Sequence, residues 1–144
     1  IVSFLFILII IEYAPTSLIR TSAKIPDYYK VIKEDPEDFA IMDTTPDVKF
    51  LYYQTYHEKK LIGGYTSRIT KNALSFLKET PLISNLYFSD SSIDPKNHDK
   101  NLLIKYNIKY VIVPKYDFKN QKILNEMGIS PISEDNTTKL YKVY

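Results

Sequence analysis

Cysteine is absent from this chain, so it can build no disulfide framework, no thiolate metal site and no cysteine nucleophile. Tryptophan is absent as well; glycine occurs only at 63, 64 and 128, arginine only at 20 and 68, and histidine only at 57 and 98. So little glycine, so placed, excludes the Gly-X-Gly-X-X-Gly dinucleotide fingerprint, and Gly63-Gly64 lacks the Lys-Ser/Thr of a phosphate loop. No Gly-X-Ser-X-Gly elbow is present, which leaves a hydrolase triad without its nucleophile. His57-Glu58 resembles half of a zinc-protease helix, but position 61 is Leu where the second histidine belongs. Charge of one sign is scarce too: 19 basic and 17 acidic residues leave a net +2, spread in ones and twos with no basic stripe. That pattern gives no support to a nucleic-acid partner. Neither a metal nor a cofactor is expected.

What the chain does have is apolar and aromatic material. Its 144 residues suffice for one compact domain, and 13 Tyr with 7 Phe supply bulky side chains for a core. Ile1 to Ile11 is an unbroken apolar run closed by Glu12, Tyr13 and Pro15. We read residues 1–13 as the end of a transmembrane segment; a buried strand is the alternative, since the run falls short of the ~20 residues a spanning helix needs. A signal-peptide core fits poorly, because Glu12-Tyr13-Ala14-Pro15 makes a poor cleavage site. The first basic residues after the run are Arg20 and Lys24, preceded by Glu12, which places the following domain outside the cytoplasm under the positive-inside rule. The sequon Asn136-Thr137-Thr138 agrees with that side and makes Asn136 a candidate for N-glycosylation.

Residues 14–38 read as a linker with a short helix over Tyr28 to Lys33, and residues 39–144 as a single domain. Phe39 to Met42 is a short buried strand ending at Asp43. Asp47 is the expected cap of a helix reaching about Lys59, with Val48, Leu51, Tyr52 and Thr55 on its inner face. Leu61-Ile62 follows as a strand, then a helix capped by Asn72, a second one restarted at Pro81, and a third opening at Asp94-Pro95. Lys109 to Pro114 is the strongest and most central strand, followed by a helix over Phe118 to Met127 with Gly128 as its C-cap, and by a hairpin turning at Glu134 to Thr137. This alternation predicts a small three-layer α/β domain with a mixed, partly parallel sheet and a C-terminal β-hairpin.

Asp43, at the C-terminal end of a strand, together with Gly64, Arg68 and the Pro114-Lys115-Tyr116-Asp117 loop, is placed to line a crevice of the kind that binds ligands in α/β sheets. The commoner uses of these residues are a capping aspartate, a tight turn at Gly63-Gly64 where the backbone passes close to a neighbour, and an internal salt bridge from Arg68 to Asp43 or Asp47. The candidate ligand-binding set is Asp43, Gln54, His57, Gly64, Tyr65 and Arg68; no catalytic residue is assigned.

The order of an aliphatic run ending in Glu-Tyr-Ala-Pro, then Ile-Pro-Asp-Tyr-Tyr, then Glu-Asp-Phe-Ala-Ile-Met-Asp resembles the C-terminal portion of polytopic archaeal and bacterial membrane proteins related to the GT-C class of glycosyltransferases. The most specific part is Tyr53, Gln54, Thr55, His57, Lys59, Ile62, Gly63, Gly64, Tyr65 and Arg68; residues 100–114 resemble the helix and Lys-Tyr-Val-Ile-Val strand of such tails. In that class the acidic catalytic motif lies in an early extracytoplasmic loop and the usual donor is a polyprenyl-linked sugar. The resemblance therefore implies a non-catalytic extracytoplasmic accessory domain on the cell membrane, its partners being the membrane portion of its own parent chain and a glycan or lipid-linked sugar. The alternatives are a small-ligand or glycan-binding module around Asp43, His57, Gly64 and Arg68, or a free-standing soluble enzyme.

Overall fold

The computed structural model describes residues 24–46, 49–63, 70–88 and 99–144. Along the chain run α1 (Tyr28–Glu34), β1 (Ala40–Asp43), α2 (Lys49–His57), β2 (Lys60–Ile62), α3 (Lys71–Glu79), α4 (Pro81–Phe88), α5 (Lys100–Lys105), β3 (Ile108–Pro114), α6 (Phe118–Glu126), β4 (Pro131–Glu134) and β5 (Thr138–Lys142). The five strands form one sheet in the order β2-β1-β3-β5-β4. β1 is parallel to β2 and to β3, whereas β5 is antiparallel to β3 and to β4. The α/β class, the mixed sheet and the C-terminal hairpin are thus those expected from the sequence. Ile1 to Ile11, Asp47, Asp94-Pro95 and His98 lie outside the described residues.

β1 and β3 read as continuous apolar runs because both of their faces are covered, and every residue in each is buried. On one face Tyr28, Tyr29 and Ile32 of α1 pack with Phe39, Ile41, Tyr110, Ile112 and Leu140. On the other, Leu77, Leu82, Ile83, Leu86, Leu103, Ile123 and Leu124 from α3 to α6 pack with Met42, Val111, Val113 and Tyr141. The connectivity explains the two layers. From β1 the chain crosses through α2 to β2 on one side, then returns past β1 through α3 to α5 to reach β3 on the other. Right-handed crossovers taken in opposite directions put their helices on opposite faces.

Register breaks once within this parallel core. Ala40 pairs with Ile108 but Ile41 pairs with Tyr110, so Lys109 is the extra residue of a bulge. The bulge turns Lys109 and Tyr110 toward the α1 and α2 side, while Ile108 stays with Val111 and Val113 on the other. There the buried Lys109 ammonium meets Asp35 at 2.6 Å and Glu37 at 2.9 Å, and the Tyr110 hydroxyl donates to Asp35 at 2.8 Å. Lys59 donates to the Asp35 and Glu37 carbonyls at 2.6 and 2.9 Å, and both lysines lie over the Phe39 ring. The Asp35-Pro36-Glu37-Asp38 segment thus forms an ionic latch that closes the N-terminal end of the sheet.

Three local expectations change. The inner face of α2 is Phe50, Tyr53, Gln54 and His57, whereas Leu51, Tyr52 and Thr55 face outward. Aliphatic spacing pointed to the wrong side because the aromatic and histidine side chains of α2 stack on Tyr29 of α1. Thr70, not Asn72, caps α3 by accepting from the Ala73 N–H at 3.3 Å. The helix carrying Leu102 and Leu103 is capped by Asp99, whose carboxylate takes the Asn101 N–H at 2.9 Å.

Candidate functional site

Where β1 and β3 lie side by side, the chain leaves β1 for α2 on one face of the sheet and β3 for α6 on the other. Loops that part in this way open a crevice at the C-terminal ends of the strands, the topological switch point at which α/β sheets bind ligands. A cleft of about 530 Å³ occupies that position. Its walls come from the β1–α2 loop through Thr45, Pro46 and Lys49, and from the β3–α6 loop through Pro114 and Tyr116. Aromatic side chains of α1 and α2, among them Tyr28, Phe50 and Tyr53, form one flank, and Thr137 and Thr138 of the β4–β5 turn form the other. A bond from the Lys115 N–H to the Thr137 carbonyl, 2.7 Å, ties the two loops of the rim together.

Asp43 lies behind this lining as an anchor. Its Oδ2 accepts the Tyr29 hydroxyl at 2.8 Å, and its Oδ1 accepts the Thr45 N–H at 2.9 Å and the Thr45 hydroxyl at 2.6 Å. Asp135 organises the opposite rim in the same manner, its Oδ1 accepting from the N–H and hydroxyl groups of both Thr137 and Thr138. Although burial raises the Asp135 carboxyl, the N–H and hydroxyl donors of Thr137 and Thr138 outweigh it and hold it below the usual carboxylate range. Both aspartates thereby fix hydroxyl orientation: Thr45 and Thr137 give their protons inward and keep oxygen lone pairs available as acceptors, while the buried Thr138 hydroxyl also meets the Tyr28 phenol. Burial raises the phenols of Tyr28 and Tyr29, the second also through the Asp43 charge, so both stay neutral. The cleft therefore offers neutral aromatic surface and oriented acceptors, and among the described residues it holds no assembled nucleophile and base.

Of the residues singled out from sequence, Asp43 and His57 are brought to one aromatic cluster. The Tyr29 hydroxyl is bonded to Asp43 and its ring stacks on the His57 imidazole, 5.4 Å between centroids and 6° between planes. Gln54 and His57 are both committed to the exit from α2. His57 Nδ1 accepts the Lys59 N–H at 3.0 Å, and Gln54 Nε2 donates to the Lys59 carbonyl at 3.3 Å, across Glu58 at φ 60°. The pair shapes the turn into β2 and does not line the cleft. Asn136 is exposed at the hairpin tip. Gly64, Tyr65 and Arg68 lie outside the described residues. Among the described residues no group of three or more His, Asp or Glu side chains is arranged to hold a metal ion, and no helix is long and apolar enough to cross a membrane.

His57 carries a pH dependence. Burial, helped by the Lys59 ammonium, lowers its imidazole from 6.5 to about 4. The unfolded chain takes up this proton first, so the stability tied to neutral His57 is complete above about pH 6.5 and is lost as the pH falls toward 4. Thermal melts across that window should show Tm falling with acid, and His57→Asn, which keeps a neutral acceptor near the Lys59 N–H, should flatten the slope.

Sequence reasoning reached the Pro114 to Asp117 loop but missed Tyr28, Phe50, Tyr53 and the two threonines at the hairpin. The available signal was topological: Thr44-Thr45-Pro46 and Pro114-Lys115-Tyr116 follow adjacent parallel strands whose helices diverge. Comparison with protein-family models, with curated proteins and with solved structures found no match to this chain. Fold and geometry define a small three-layer α/β domain with a crevice at its switch point.

Proposed function

We propose that this chain is a non-catalytic, saccharide-binding accessory domain, held on the extracytoplasmic side of the cell membrane by a multi-span, glycosyltransferase-like parent protein. One observation carries the binding part: aromatic rings stand beside threonine hydroxyls whose protons are already given to Asp43 and Asp135. A ligand entering such a cleft meets acceptors and ring faces, which suits a molecule with many hydroxyl donors and an apolar C–H face. A sugar ring has both. The volume of about 530 Å³ accommodates a unit of that size. The membrane and parent-protein part is supported by the Ile1 to Ile11 run and by the Tyr53 to Arg68 block.

The non-catalytic reading is supported by the Asp43 carboxylate, which receives three hydrogen bonds from Tyr29 and Thr45 and is fitted to hold them in place. Hydrolysis and transfer assays on the purified chain with monosaccharides and polyprenyl-phosphate-linked sugars should give no product. Saturation-transfer NMR should detect binding, and Tyr116→Ala, which removes a stacking face, should weaken it about three- to tenfold. Turnover that survives purification and is lost in Asp43→Ala would contradict the proposal, as would binding indifferent to Tyr116.

A further inference from the structure

The two ends of the sheet differ sharply in character. At the N-terminal end stand the ionic latch and, at the surface, the exposed pair Lys60 and Asp38 with Glu37 beside them. At the C-terminal end Tyr116 of the β3–α6 loop and Phe118, the first residue of α6, stand in solvent, 66% and 77% exposed, the two most exposed large hydrophobic side chains among the described residues. The turn into α6 that carries them is not loose. Asp117 caps α6 through the Asn120 N–H at 3.1 Å and the Asn120 amide at 2.8 Å, and the Asp117 N–H returns to the Pro114 carbonyl at 3.0 Å. A rigid turn that projects two aromatic rings, with the neighbouring Lys115 held to Glu134 at 3.3 Å, has the aromatic character of a membrane-interface anchor, its rings suited to headgroup depth.

The course of the chain points to the same end. Pro26 lines the cleft together with Tyr116, and the apolar run Ile1 to Ile11 lies upstream of it. The first described residues of the chain, from Lys24 to Pro26, thus stand at the aromatic end of the sheet, whereas the ionic latch follows α1 at the other.

We infer that the C-terminal end of the sheet docks on a phospholipid bilayer, with Tyr116 and Phe118 inserted at the interface, so that the cleft opens at headgroup level. This rests on the reading of Ile1 to Ile11 as membrane-seated and is independent of the saccharide assignment. The absence of tryptophan makes the test clean. Phe118→Trp places a single tryptophan on the proposed surface, and Ile104→Trp places one at an exposed position, 42% accessible, on the helix that leads into the opposite end of β3. Each full-length variant is mixed, without sugar, with vesicles of phosphatidylcholine and phosphatidylglycerol carrying brominated acyl chains. The expected result is a blue-shifted, bromine-quenched emission for Phe118→Trp and an unchanged, water-like emission for Ile104→Trp. Failure of the chain to bind vesicles, water-like emission from Phe118→Trp on bound chains, or quenching of Ile104→Trp instead would each overturn the inference.

Discussion

Lys109→Ala is expected to lower the stability of the domain by about 3–5 kcal/mol, because it leaves a carboxylate behind in the sheet without its cation. Asp35 has a side chain only 11% exposed, and in the variant it would keep the Tyr110 hydroxyl and the Glu37 N–H as donors but no charge partner. Glu37 matters less, since its side chain is 63% exposed and water replaces the lost contact. Adding Asp35→Asn to Lys109→Ala should recover a large part of the loss, a coupling that urea denaturation of the two singles and the double measures directly. The latch also titrates. Burial raises the Asp35 carboxyl, but the bonds from Lys109 and Tyr110 outweigh it and bring it from 3.8 to about 2. Its folded pKa lies below its unfolded one, so its contribution is full above about pH 4 and is lost as the pH falls toward 2. That window lies below the one set by His57, and wild-type acid unfolding should therefore show two successive losses of stability.

Gly63→Ala is the second large effect, expected at about 2–4 kcal/mol. Gly63 has φ +86°, and a Cβ built on it would stand 2.2 Å from Cε2 and 2.7 Å from Cδ2 of the Tyr87 ring. Left-handed backbone costs a residue with a side chain about 1–3 kcal/mol, and displacing the ring of a helix packed on the core adds to it. The two contributions separate in a cycle. In a Tyr87→Ala background the steric part disappears while the backbone part remains, so Gly63→Ala should cost less there but not nothing. Equal cost in both backgrounds would mean that the ring gives way freely.

These two sites show why some features were legible in the sequence and others were not. The β3 strand, the Gly128 cap and the hairpin turn depend on residues adjacent in the chain, and local propensity locates them. The close approach at Gly63 was also readable in outline, since a glycine after a short strand has few other uses. Lys109 was not, because a lysine in an apolar run looks like a strand edge until the bulge turns it toward Asp35, more than seventy residues away in sequence. The buried face of α2 failed for a related reason. Tyr53, Gln54 and His57 are amphipathic, and whether they or Leu51 and Tyr52 are covered depends on the Tyr28-Tyr29 ledge of α1. For the cleft, Asp43 was visible as a single residue; that it and Asp135 both orient threonine hydroxyls at one crevice became evident only with the strand order.

That arrangement of oriented acceptors beside aromatic rings at the switch point is the core of the functional reading, and amide chemical-shift mapping tests it most directly. Titrating the labelled chain with a polyprenyl-phosphate-linked monosaccharide should perturb the amides of Thr45, Lys49, Tyr53, Tyr116 and Thr137, and leave those around Lys59 and Lys109 at the far end of the sheet unmoved. Saturable shifts centred on the far end, or no shifts while the ligand is present in excess, would contradict the account.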